Sequence, residues 1–338
     1  MLTPPESSNG SDDRGLWTTL IADGRPLLLF TGLSLVLSGA FALFLSATGH
    51  FLPHDIEFLG MLPEQLCAIN ECRIVHFMIH DRVSFGGSLI AIGSLYLWMA
   101  EFPLRARQAW AWWLFLVSGL LGFGSFLAYL GYGYLDTWHG AATLALLPCF
   151  VVGLAKSYRT LPAHSSLACL LRPGIQVNWP SRYGLGRLLL LAASIGLVGA
   201  GLTIMTVGMT TVFVPQDLDY MDMTFQEVQS VNPRLVPLIA HDRAGFGGGV
   251  ACGGVTLLFC VWCGTPSRSL WQVLCLAGLA GFSTAIGVHP LIGYTDALHL
   301  APAVLGACVY ASGLALTYNG PSPASLRETR AEVSLQGA

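Results

Sequence analysis

The chain has 338 residues, of which 54% are hydrophobic and 10% charged, with a mean hydropathy of +0.62. Soluble domains carry about 25% charged residues, so this composition excludes a soluble globular chain and assigns most of the sequence to lipid. The formal net charge of -3, with no basic stripe, excludes nucleic acid as a partner.

The first segment, "MLTPPESSNGSDDRG", is polar and acidic and lacks the positive start of a secretory signal. Eight stretches free of Asp, Glu, Lys and Arg follow, near 27–48, 83–100, 109–130, 139–155, 188–214, 244–264, 270–288 and 297–317. Each approaches the ~20 residues that carry a helix across a bilayer. In hydrocarbon every backbone N–H and C=O needs a partner within its own segment, so these stretches predict helices. The expected class is an all-α polytopic membrane protein with eight transmembrane helices.

Four separated motifs recur in register. "FLPHDIEFL" at 51–59 lies over "FVPQDLDYM" at 213–221. Asn70, Arg73 and Val75 lie over Asn232, Arg234 and Val236, with one residue inserted in the first copy. "HDRVSFGG" from His80 matches "HDRAGFGG" from His241, and "GYLDTWHGA" from 133 matches "GYTDALHLA" from 293. The first and last histidines of the series stand 59 residues apart in one half and 58 in the other. This pattern predicts two tandem parallel four-helix repeats, 26–157 and 187–318, related by a pseudo-twofold axis along the membrane normal. The first apolar segment then corresponds to the fifth, an interior span, and is not a cleaved signal.

Polar segments complete the chain: a tail at 1–25, a linker at 158–186 and a tail at 319–338, each too poor in apolar residues to fold alone. With the N-terminus inside, twelve of the sixteen Lys and Arg residues fall in inner segments, leaving only Arg73, Arg82, Arg234 and Arg243 outside. The asymmetry predicts cytoplasmic N- and C-termini in a multi-pass protein of the plasma membrane. Trp98, Trp110, Trp112, Trp113, Trp262 and Trp271 then sit at inner helix ends, as an interfacial aromatic belt does.

On the outer side, Asn70 and Asn232-Pro233 read as starts of long helices, the first running from about 71 to 100 and some 45 Å long. Thr224-x-x-Glu227 reads as a capping box, so the outer segments 49–79 and 215–240 are expected to be structured lids. Gly86-Gly87 and Gly247-Gly248-Gly249 read as close helix packing.

Taken singly, Asp136 and Asp296 read as helix N-caps and Asp81–Arg82 as an interfacial pair. As a set they predict a site, because ionisable groups in membrane segments are expensive and mark function by default. The expected sites comprise His80, Asp81, Arg82, Asp136 and His139 in one repeat and His241, Asp242, Arg243, Asp296 and His299 in the other, with sites across the pseudo-axis equally allowed. Arg73 and Arg234, one helical face below the histidines, are candidate cofactor-binding residues.

Three chemistries suit such a set. His80, His139, His241 and His299 could ligate a first-row metal such as zinc or iron, with Asp136 and Asp296 orienting ring N–H groups. Paired imidazoles could hold haem iron, with Arg82 or Arg243 on a propionate. His–Asp pairs could instead relay protons while arginine holds an anionic headgroup or a quinone. The expected function is a membrane-embedded redox or metal/haem-dependent enzyme, or an electron-transfer subunit, acting on a quinone or lipid-like substrate. The alternatives are a transporter or channel with an outer His/Asp/Arg gate and a scaffold subunit bound to another membrane protein. Few polar residues fall at mid-membrane, which disfavours transport. Cys67 and Cys72 suit a loop-stapling disulfide outside the cytoplasm. His50, His54, His76, His164 and His289 lack counterparts in the other repeat and read as interfacial or loop residues.

Overall fold

The computed structural model describes residues 15–127, 134, 137–162, 165–318 and 320, with the backbone alone at 126, 127, 138 and 139. Among the described residues all regular structure is helical. A short α1 (Leu16–Ile21) leads into α2 (Arg25–Thr48). The joint is Gly24 at φ +91°, where a Cβ would meet the Gly153 carbonyl at 2.3 Å, so conformation and space both demand glycine. Two small outer helices follow, α3 (Pro53–Leu59) and α4 (Pro63–Cys67), each with proline in its first turn, where no N–H is required. The Cys67–Cys72 disulfide closes this outer segment.

Next come α5 (Arg73–Met99), α6 (Ala109–Leu127) and α7 (Thr137–Tyr158). A π turn over Ala100–Leu104 ends α5 around Pro103, which has no N–H to donate. In the second half α8 (Arg182–Met209) leads to the small outer helices α9 (Pro215–Met221) and α10 (Phe225–Val231), then to α11 (Leu235–Cys263), α12 (Arg268–Ile292) and α13 (Ala297–Thr317). The Thr224 hydroxyl accepts from the Glu227 N–H while the Glu227 carboxylate accepts from the Thr224 N–H, so the capping box does start α10.

Among the described residues, seven helices are long and apolar enough to cross a bilayer: α2, α5 with its π turn, α7, α8, α11, α12 and α13. The chain is a helical membrane protein. Two helices form its centre: α5 and α11 bury 72% and 67% of their most apolar windows, against 28% or less for the other five. Both begin well before the apolar runs at 83 and 244, at Arg73 and Leu235, so their second and third turns carry the HDR motifs.

Around this centre α2 packs on α5 and α8 on α11, with α7 outside α2 and α13 outside α8. These contacts are glycine-made. A Cβ on Gly39 would meet the Gly86 carbonyl at 2.4 Å, and one on Gly201 would meet the Ala251 nitrogen at 2.2 Å. The remaining two helices cross over. α12 packs on α5 of the first half, where the Trp98 indole donates to Ser269 Oγ at 3.1 Å, and α6 packs on α11 of the second, where the Cys252 thiol donates to the Ser118 carbonyl at 3.2 Å. The third long helix of each half thus leans on the central helix of the other, and this exchange sets which histidines meet.

The linker between the halves is more ordered than its composition predicts. Leu170 is buried and the Gly174 N–H donates to the Trp262 carbonyl. Residues 182–186, expected in the linker, lie with Arg187 inside α8 because Ser181 caps that helix, accepting from Gly184. The buried Arg187 guanidinium donates to the carbonyls of Val261, Trp262 and Ile175 at 3.1, 2.6 and 3.2 Å. It thereby places a cation on the carbonyl end of α11, which that helix's dipole favours.

Candidate functional site

The HDR motifs fall in the second and third turns of α5 and α11, toward the N-terminal end of the central pair, and each reaches into the other half. Arg82 Nε donates to Asp242 Oδ2 at 2.8 Å, and Arg243 Nε donates to Asp81 Oδ2 at 3.2 Å. Each arginine also holds an aspartate of its own half's small outer helix: Arg82 pairs with Asp55 of α3 at 2.9 Å, and Arg243 with Asp217 of α9. Those two aspartates cap their helices, accepting from the Leu52 and Val214 N–H groups. Each accepts a phenol as well, from Tyr134 to Asp55 at 2.5 Å and from Tyr294 to Asp217 at 2.9 Å. Each guanidinium therefore bridges two carboxylates, Arg82 between Asp55 and Asp242 and Arg243 between Asp81 and Asp217, in two matched, largely buried ion-pair networks.

A second ring of reciprocal contacts lies above it. Asn70 donates to the Met221 carbonyl and Asn232 to the Leu59 carbonyl, at 3.2 and 2.8 Å. Arg73 donates to the Tyr220 carbonyl and Arg234 to the Phe58 carbonyl, at 3.4 and 2.6 Å. Each residue reaches the last carbonyls of the other half's small helix, so Arg73 and Arg234 act as helix-end clamps in this structure.

The histidines differ between halves. His80 Nδ1 lies 2.9 Å from Asp81 Oδ1, and Asp81, bonded by Arg243, can only accept; the ring proton is therefore on Nδ1 and Nε2 carries the lone pair. That Nε2 is 3.2 Å from Nε2 of His289 on α12. His299, in the first turn of α13, completes a cluster in which one nitrogen of each ring lies within 4.8 Å of the others. His299 Nδ1 is 3.1 Å from the Tyr294 hydroxyl. Since that hydroxyl donates to Asp217, it accepts from His299 Nδ1–H, which leaves Nε2 unprotonated. Burial, with the Asp217 charge beside it, pushes the Tyr294 phenol well above its usual range, so it remains a donor. Tyr294 stacks on His299 at 4.5 Å and on Tyr220 at 4.6 Å between ring centroids.

The structure thus brings His80 together with His299 across the halves, and joins to them His289, which sequence reasoning set aside as an interfacial residue. The per-repeat grouping of His241 with His299 does not form: His241 has Asp242 Oδ1 at 3.2 Å and the Tyr134 ring edge-on at 5.0 Å. Asp296 accepts from the His299 backbone N–H at 2.7 Å as the N-cap of α13 and stays out of the cluster. Asp136 and the His139 side chain lie outside the described residues. Asp55 and Asp217 were missed although they sit at matched positions of the quoted motifs; their recurrence was the available signal.

Haem does not fit this cluster. Two axial imidazoles on one iron stand about 4 Å apart N to N, with the macrocycle between them. Here the His80 and His289 nitrogens are closer, their ring centroids are 4.6 Å apart, and His299 packs within 5.7 Å of both rings. No protein-family model, curated protein or solved structure matches the chain.

Proposed function

We propose that the chain is a tandem duplication of a four-helix unit and crosses the membrane eight times, with α6 as the eighth span. The matched bonds of Arg82 and Arg243, of Asn70 and Asn232, and of Arg73 and Arg234 support this reading. Both termini lie in the cytoplasm and the protein resides in the plasma membrane. Twelve inner against four outer basic residues favour that orientation, and the Cys67–Cys72 disulfide on the sparse side agrees with an oxidising exterior.

Within that frame the protein is a membrane-embedded redox enzyme or electron-transfer subunit. Its outer-face histidine site works on a quinone or similar lipid-like substrate. One observation supports this: three imidazoles from both halves converge on one cluster at the end of apolar helices, two with their ring protons fixed by Asp81 and by the Tyr294–Asp217 pair. Such groups are costly there unless they act. A cleft of about 410 Å³ opens beside the site, lined by Arg73, His76 and Tyr220, whose ring stacks on Tyr294. Transport is disfavoured because α5 and α11 meet directly, Gly249 against Phe85 and Gly253 against Ile92, where a pathway along the pseudo-axis would run.

Equilibrium binding of a radiolabelled short-chain quinone to the full chain in lipid nanodiscs tests the reading. Saturable binding should occur at one class of site and weaken at least tenfold in His299→Ala, while His50→Ala retains it. Absence of saturable binding, or equal binding by both variants, contradicts it.

A further inference from the structure

We propose that His80, His289 and His299 form a binding site for one divalent first-row transition-metal ion of the zinc and copper class. The inference rests on the cluster's own geometry and stands or falls apart from any quinone chemistry.

The donor atoms are the first argument. His80 and His299 both have Nδ1–H committed, to Asp81 and to Tyr294, so each offers a neutral Nε2 lone pair, the form in which histidine ligates metal. The partners of those Nδ1 atoms are a carboxylate held by Arg243 and a phenol held by Asp217. An imidazole whose far N–H rests on a carboxylate, directly or through one hydroxyl, is the usual outer support of a metal-bound histidine. A plain hydrogen bond between His80 and His289 would need only two rings; it gives no reason for a third, on another helix, with its tautomer set independently.

The spacing is the second argument. Metal–nitrogen bonds of 2.0–2.1 Å in a tetrahedron separate the ligand nitrogens by about 3.3 Å. The His80 and His289 Nε2 atoms are 3.2 Å apart, and one nitrogen of each of the three rings lies within 4.8 Å of the others, close to that spacing. Three imidazoles without thiolate or first-sphere carboxylate select zinc, copper or iron over calcium and magnesium, which take oxygen ligands. Three protein ligands leave a fourth position open, the pattern of catalytic rather than structural zinc.

Rigidity is the third. The ligands come from α5, α12 and α13, and α12 lies against α5 so closely that a Cβ on Gly87 would overlap Thr284. A site on packed helices is held before metal arrives, which lowers the ordering cost of binding.

Titration of chelator-stripped full-length protein in nanodiscs with Co²⁺, read by visible absorption and confirmed by Zn²⁺ competition, is the test. The wild type should bind one Co²⁺ at this site with the intense bands of four-coordinate cobalt, bleached by Zn²⁺. His289→Ala and His299→Ala should each weaken binding at least a hundredfold and lose those bands. Tyr294→Phe should weaken it about ten- to a hundredfold, since it removes the hydroxyl that links His299 to Asp217 and leaves all three imidazoles in place. His50→Ala and His76→Ala should bind as the wild type does. Should a histidine variant elute as aggregate, Tyr294→Phe, which removes one hydroxyl, still decides. Weak six-coordinate cobalt in the wild type, or equal affinity in His289→Ala and the wild type, overturns the site. Metal binding without quinone binding would retain this inference and remove the redox reading.

Discussion

Arg243→Ala should destabilise the protein by about 3–5 kcal/mol, the loss expected when one partner of a buried ion pair is removed. Asp81 and Asp217 are 1% and 0% exposed, and without the guanidinium both become buried carboxylates lacking their cation. Unfolding midpoints in mild detergent measure the effect. Arg105→Ala is the comparison: Arg105 is 63% exposed beside Glu101 on the same helix end, and its loss should cost less than ~1 kcal/mol. Adding Asp81→Asn and Asp217→Asn to Arg243→Ala should recover part of the loss, since neutral amides tolerate burial better than unpaired charges. An Arg243→Ala midpoint matching that of Arg105→Ala would show that the network is solvated and contributes little.

Glycine substitutions should separate by sign along a single helix. Gly201→Ala drives a Cβ to 2.2 Å from the Ala251 nitrogen, so α8 and α11 must part; the cost should be ~3 kcal/mol. Gly39→Ala should behave alike at the α2–α5 contact, where the obstacle is the Gly86 carbonyl. Gly196, five residues before Gly201 on α8, meets nothing within 4 Å. There alanine should gain up to ~1 kcal/mol from helix propensity. Thermal midpoints of the three variants decide it. Equal effects at Gly201 and Gly196 would mean that α8 does not press on α11 where the structure puts it.

Much of this architecture is legible in residue order. Long apolar runs free of charge announce the helices, and Thr224 with Glu227 announces the start of α10, because both signals depend only on near neighbours. The recurring HDR triplets point to the polar centre. What periodicity does not encode is which helix lies beside which. The crossing of α12 onto α5 places His289 against His80, and no local pattern of α12 records that contact. His289 also lacks a histidine at the matching position, Tyr129, so a search for recurrence passes over it. Asp55 and Asp217 were hidden differently: each sits in a short helix of the segments that read as lids, and its role emerges only when Arg82 and Arg243 reach it. The linker's order likewise depends on α11 offering Trp262 and Val261 carbonyls to residues remote in sequence.

The histidine cluster depends on the two halves clasping each other around the HDR motifs, since only that brings His80 to His289 and His299. Phe58 and Arg234 make the contact in which the guanidinium lies 5.6 Å from the ring centroid, one residue from each half. With the seven free cysteines replaced, Phe58→Cys and Arg234→Cys can be oxidised and the chain then cut at a protease site placed in the inner linker. The two fragments should run as one band on a denaturing gel without reductant and as two with it. Two bands without reductant, from protein whose introduced thiols each react with a maleimide before oxidation, would contradict the clasp and the histidine cluster built on it.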